Sequence, residues 1–87
     1  MHDNIVDGNQ LFGIVLFNAS GEQIYDNRVY GNHSSGVRAE AGSTGNVFKD
    51  NIAEGNTGYD LEDDNSGCET NTWHDNTFFF SNESCIK

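Results

Sequence analysis

Proline is absent from the 87 residues, and lysine and arginine together number four against fourteen aspartates and glutamates. A chain without proline and with regular apolar spacing is not a flexible linker or a disordered tail. The shortage of cations, with a formal charge of −10, excludes the Lys and Arg clusters on which duplex affinity rests and sets up a field that repels phosphate and polyuronate alike. No nucleic-acid partner is expected. No apolar run approaches the ~20 residues of a membrane-spanning helix, so no membrane insertion is expected, and no stretch keeps a 3.6-residue period. Only 34% of the residues are apolar, which leaves thin core layers in what is at most one small domain. Cysteine is also scarce. Cys68 and Cys85 fit one disulfide in an oxidising compartment, with two buried thiols as the alternative.

What the chain has is self-similarity. The phrase Asp-Asn-x-x-x-Gly-Asn occurs at Asp3-Asn4 to Gly8-Asn9, Asp26-Asn27 to Gly31-Asn32 and Asp50-Asn51 to Gly55-Asn56, and a decayed copy opens at Asp75-Asn76. The first asparagines are 23, 24 and 25 residues apart, a period that marks a stack of repeats. Laid over one another, the copies give apolar columns: Met1, Ile24, Phe48, Trp73; then Val6, Val29, Ala53, Phe78; then Ile14, Val37, Leu61; then Leu16 and Ala39. In the third copy Tyr59 and Leu61 fill the last two roles if its turn is two residues shorter. Each repeat thus holds three short alternating stretches bounded by Gly, Asn and Ser, which read as strands. Such strands pair with their counterparts in the next repeat at ~4.8 Å, which winds the chain into a coil with three sheets around one interior.

Two asparagine columns predict amide ladders along the coil axis, because a primary amide carries a donor and an acceptor on opposite sides. One is Asn4, Asn27, Asn51 and Asn76; the other is Asn9, Asn32 and Asn56, ended by Ser81. Asparagine also tolerates the left-handed corner such a coil needs, and Gly8, Gly31 and Gly55 are expected at positive φ, with Phe80 in place of that glycine in the last rung. Trp73, Phe78, Phe79 and Phe80 are expected to roof the C-terminal end. Met1 already falls in an inward column, so the first rung is expected to expose raw edges and to continue an upstream coil or self-associate.

The pattern Asn-x-x-x-x-Asn followed by Gly13-Ile14-x-Leu16 or Gly36-Val37-x-Ala39 resembles the repeat of right-handed parallel β-helix proteins, the pectate-lyase-like and NosD-type copper-accessory families. The resemblance implies an all-β single-stranded solenoid of about four rungs, near 1–22, 23–45, 46–70 and 71–87, with an aromatic cap, as the C-terminal portion of a longer coil. It also implies an extracellular or periplasmic location, with any leader upstream of Met1. Lyases, hydrolases, epimerases and non-catalytic proteins share that fold, so the resemblance does not choose an activity.

Several groups bear chemistry. Asp3, Asp26, Asp50 and Asp75 form an outward column whose mutual repulsion Ca²⁺ would relieve, although each Asp can equally fix its own turn; no other cofactor is expected. Glu62, Asp63 and Asp64 stand beside Asp60 in an expected loop, an arrangement that suits a general acid and base. Glycosidases of this fold use a neighbouring aspartate pair, but their Gly-His-Gly, Arg-x-Lys and Asn-Thr-Asp elements are missing. The NosD resemblance raises copper; His2, His33 and His74 are too dispersed to share an ion. Phe12, Phe17, Tyr25 and Tyr30 are candidates to stack on sugar rings. Asn18, Asn32 and Asn82 open glycosylation triplets. The expected function is therefore a non-catalytic segment that presents a flat face to polysaccharide or a protein partner; the alternatives are a fragment of a polysaccharide-processing enzyme and a calcium-stabilised scaffold.

Overall fold

A computed structural model describes residues 1–87. The chain runs through nine three-residue strands: β1 Ile5–Asp7, β2 Ile14–Leu16, β3 Gln23–Tyr25, β4 Arg28–Tyr30, β5 Val37–Ala39, β6 Val47–Lys49, β7 Ile52–Glu54, β8 Leu61–Asp63 and β9 Thr72–His74. They form three parallel sheets ordered β1-β4-β7, β2-β5-β8 and β3-β6-β9. The expected all-β coil is present, with three complete rungs. A fourth is reduced to single bridges, Ile52 with Thr77 and Leu61 with Ser81.

The pleat decides what each rung buries, since alternate residues of a strand face opposite sides. The first rung turns Val6, Ile14, Leu16 and Ile24 inward, the second Val29, Val37, Ala39 and Phe48, the third Ala53, Leu61, Asp63 and Trp73. Across the rungs the β3-β6-β9 column grows from Ile24 to Phe48 to Trp73, while the facing β2-β5-β8 position, Leu16 in the first rung, holds the smaller Ala39 and Asp63 in the other two. The smaller partners leave room for the larger rings, as close packing requires. The Phe48 and Trp73 rings stack with centroids 3.8 Å apart and an interplanar angle of 6°. Truncating Phe48, which is fully buried, would cost about 3–5 kcal/mol.

Polar ladders run beside this core. Asn51 Oδ1 accepts both the backbone N–H and the Nδ2–H of Asn27 at 3.1 Å, and its own amide donates to Asn76 Oδ1 at 3.1 Å and to the Ile24 carbonyl at 2.9 Å. The second column repeats the arrangement from Asn9 to Asn32 to Asn56. It ends on Asp60 and not on Ser81, because the Asp60 carboxylate accepts from Asn56 N and Nδ2. A third ladder, unpredicted, runs from the Glu22 N–H to Asn46 to Asn71 to Asp63.

The corners also differ from expectation. Gly8, Gly31 and Gly55 do lie at φ 66–68°, but the left-handed residue beside the first ladder is Asp, with Asp3, Asp26, Asp50 and Asp75 at φ 55–58°. The asparagines keep ordinary backbone so that their amides can turn inward. Phe80 has no positive φ, since the chain has left the coil path there. Gly36 is required for a different reason: a Cβ would meet Asn56 Nδ2 at 2.6 Å and the Asp60 carbonyl at 2.6 Å.

The C-terminal segment closes the stack. Trp73 and Ile86 are buried and Phe78 is half-buried against the core, whereas Phe79 and Phe80 are exposed and roof nothing. The Cys68–Cys85 disulfide ties the Ser66–Cys68 turn to this tail, and the Lys87 carbonyl accepts from Asn76 Nδ2 at 2.9 Å. At the other end Met1 is 48% exposed, with no inward packing.

Candidate functional site

The acidic group around Asp60 is split by the pleat. Register pairs Leu61 with Val37 and Asp63 with Ala39, so Asp63 sits on an inward strand position and not in a loop, and Tyr59, with its ring exposed, takes no core role. The turn that follows β8 is correspondingly little longer than its predecessors: from Leu16 to Ile24, Ala39 to Phe48 and Asp63 to Trp73 the chain advances 8, 9 and 10 residues. Asp60 and Asp63 are each 1% exposed and have no basic partner. Each instead collects four N–H donors, as a buried carboxylate must. Asp63 accepts from Asn65 N and Nδ2 at 2.9 and 2.8 Å, Asn71 Nδ2 at 3.1 Å and Trp73 Nε1 at 2.8 Å. Asp60 accepts from both Asn56 donors on one oxygen and from the Phe79 and Phe80 N–H groups on the other.

Glu62 and Asp64 face outward, to Arg38 of the preceding rung. The guanidinium reaches Asp64 Oδ2 at 2.6 and 2.8 Å, Glu62 at 3.4 Å and Glu40 at 3.4 Å, and it lies 4.8 Å from the centroid of the Phe12 ring. Burial raises the Glu62 carboxyl above its ordinary value; the Ser35 hydroxyl, which donates to it, and Arg38 oppose that shift, while Asp64 adds to it. The hydrogen bond from Arg38 to Asp64 raises the Arg38 value further and keeps it charged. One cation with three carboxylates and a ring over it spends its donors internally, and the network ties two rungs together.

The Asp3, Asp26, Asp50 and Asp75 column lies exposed along one corner. His2 Nδ1 is 2.7 Å from Asp3 Oδ2 and His74 Nδ1 is 3.0 Å from Asp75 Oδ2. No three of these groups converge; the single cluster of three ligand-type residues is Cys68, Glu83 and Cys85, two of which form the disulfide. His2, Tyr25, Lys49 and His74 follow one another up the outer face of β3-β6-β9, with His2 stacked on Tyr25 at 4.9 Å.

The four candidate stacking rings do not share a face. Phe12 and Phe17 flank β2, Tyr25 is on β3 and Tyr30 on β4, which belong to three different sheets. Phe12 is covered by Arg38 and Tyr25 by His2 and Lys49. Tyr30 alone opens onto a cleft, of about 430 Å³, lined with Arg28, Gly31, Glu54, Gly55 and Phe79. A second cleft of about 390 Å³ is lined by Thr57, Gly58, Tyr59 and Phe80.

Over residues 1–87, its whole length, the chain matches the family described as right handed beta helix region. It belongs to the right-handed β-helix family. No curated protein and no solved structure matches the chain.

In this β-helix sequence reasoning missed the ladder role of Asn46 and Asn71, and it assigned Phe79 and Tyr59 to the interior when they line surface clefts. The first two were visible as a column, each two residues before an inward aromatic, with Glu22 in the same place before Ile24. Phe79 carried no such signal, because it follows the point where the repeat decays. Of the glycosylation triplets, Asn32 is buried in its ladder and Asn82 is tied to the Asp63 backbone at 2.8 and 2.9 Å. Asn18 stands exposed at φ 52°.

Proposed function

We propose that this β-helix is a non-catalytic binding segment of an exported protein and that its outer surface holds polysaccharide. The observation that supports this reading is the cleft in which Arg28, Tyr30, Glu54 and Phe79 converge on a rigid stack. Pyranose rings carry apolar C–H faces and a rim of hydroxyls, and a site for them needs flat apolar walls with a few placed donors and acceptors. The Cys68–Cys85 disulfide favours an oxidising compartment outside the cytoplasm. The acids that suit catalysis by residue type are engaged, Asp60 and Asp63 with ladders and Glu62 and Asp64 with Arg38. Affinity electrophoresis in gels cast with neutral and anionic polysaccharides tests the reading. Retardation in at least one neutral gel, weakened by Tyr30→Ala, is expected; identical mobility in every gel would remove it.

A further inference from the structure

We infer that Phe79 and Phe80 form a two-sided platform for consecutive sugar residues of a neutral oligosaccharide, and that Asp60 is the positioning residue that sets it; this rests on the polysaccharide-binding reading above. Phe79 is 72% and Phe80 66% exposed, yet the backbone that carries them is fixed. Both N–H groups donate to Asp60 Oδ2, at 3.1 and 3.2 Å, and the Phe80 carbonyl accepts from the Asp60 and Leu61 N–H groups at 2.8 and 3.2 Å. Two large apolar rings are thus held in water by a buried carboxylate that is itself saturated with donors. Such an arrangement loses little conformational entropy when a ligand arrives.

Each ring serves a different cleft. Phe79 faces Tyr30 in the larger one, and Phe80 lines the smaller one with Tyr59. The two clefts therefore adjoin across a single peptide bond, and each pairs a ring of the cap with a tyrosine of the coil. Gly55, around which a side chain would meet nothing within 4 Å, leaves backbone open to close approach in the larger cleft. Polar groups at the rims match a sugar's hydroxyls: Glu54 accepts, the Thr57 hydroxyl does both, and Arg28 donates. Arg28 lies 5.4 Å from the Tyr30 ring and makes no ion pair, so its donors are available. A net charge of −10 and the Glu54 carboxylate at the cleft oppose a polyanionic glycan. The ligand class that fits is a neutral glycan with at least two sugars in contact.

Isothermal titration of the full chain with gluco-, galacto-, manno- and xylo-configured oligosaccharides of one to six units, and with polygalacturonate, tests the inference. In at least one neutral series, affinity is expected to rise about tenfold between one and three units and then level off. Phe79→Ala and Phe80→Ala, both at exposed side chains, should each weaken trisaccharide binding about fivefold or more. Asp60→Asn should weaken it as well, and adding Phe80→Ala to Asp60→Asn should cost little further, a non-additivity that a purely structural Asp60 would not produce. Binding that Tyr30→Ala weakens but Phe80→Ala leaves intact would overturn the platform while leaving the function reading in place. Tighter binding of polygalacturonate would overturn the neutral assignment, and no binding of any glycan would overturn the function reading itself.

Discussion

Trp73 donates its indole N–H to Asp63 Oδ2 at 2.8 Å, from an inward position of the same rung. The largest core side chain and a charged one are therefore neighbours, and the charge is stabilised by N–H dipoles alone. The geometry resembles the end of a helix, where aligned amides favour a negative group. Here the aligned amides are side chains of stacked asparagines, and Asp60 and Asp63 take the negative place at the ends of two ladders.

Asp63→Asn should be strongly destabilising despite its near-identical shape. An amide offers one oxygen where four N–H groups converge, so its own NH₂ must face two of them. Losing two hydrogen bonds to a charged acceptor and leaving those donors buried costs about 3 kcal/mol or more. Urea unfolding followed by Trp73 fluorescence measures the midpoint; a shift within error of the native protein would refute the ladder-end role.

The reverse substitution should fail in mid-ladder. Asn51→Asp removes the donors to Asn76 Oδ1 and the Ile24 carbonyl and sets a carboxylate against two oxygens. The expected loss is again about 3 kcal/mol, and it should shrink at acid pH as the new carboxyl protonates. Thermal melts at pH 7 and pH 4 decide this, and equal losses at both would contradict it.

The Glu62 carboxyl is raised above 4.5 chiefly by burial, with Asp64 adding to the shift. The folded state then holds the proton more tightly than the unfolded chain, so between 4.5 and the higher folded value stability falls as pH rises. Glu62→Gln should flatten the stability curve in that window relative to the native protein, with the two curves parallel below it. Curves parallel throughout would show that Glu62 contributes no linkage.

Asp26 and Asp50 sit exposed at left-handed corners one rung apart. Asp26→Asn with Asp50→Asn should raise the melting temperature slightly, since asparagine accepts that conformation and the like-charge repulsion disappears. Calcium chloride and sodium chloride at equal ionic strength should shift the native melting temperature alike. A calcium-specific rise that the double substitution abolishes would instead establish a Ca²⁺ site.

The period, the three strands of each rung, the inward columns through Phe48 and Trp73, the glycine corners and two of three asparagine ladders follow from the sequence alone. The physical reason is repetition. When every rung places the same position in the same surroundings, a column of identical residue types reports those surroundings, as Asn27 and Asn51 do. Where the repeat drifts, that inference loses its footing and only the folded chain decides. Asp63 looked like a loop acid because a strand register shifted by two residues changes no local preference; the fit of Trp73 against a small acceptor is what draws Asp63 inward. Phe79 and Phe80 looked like core because they are large and apolar, but the core was already closed by Trp73, Ile86 and the disulfide, and their N–H groups were claimed by Asp60. Tyr25 and Tyr30 are five residues apart yet on different sheets, because the turn between strands is set by corner backbone at Asp26 and not by hydrophobic spacing. Periodicity specifies which residues share a column, and the angles and ends of the coil come from packing in three dimensions.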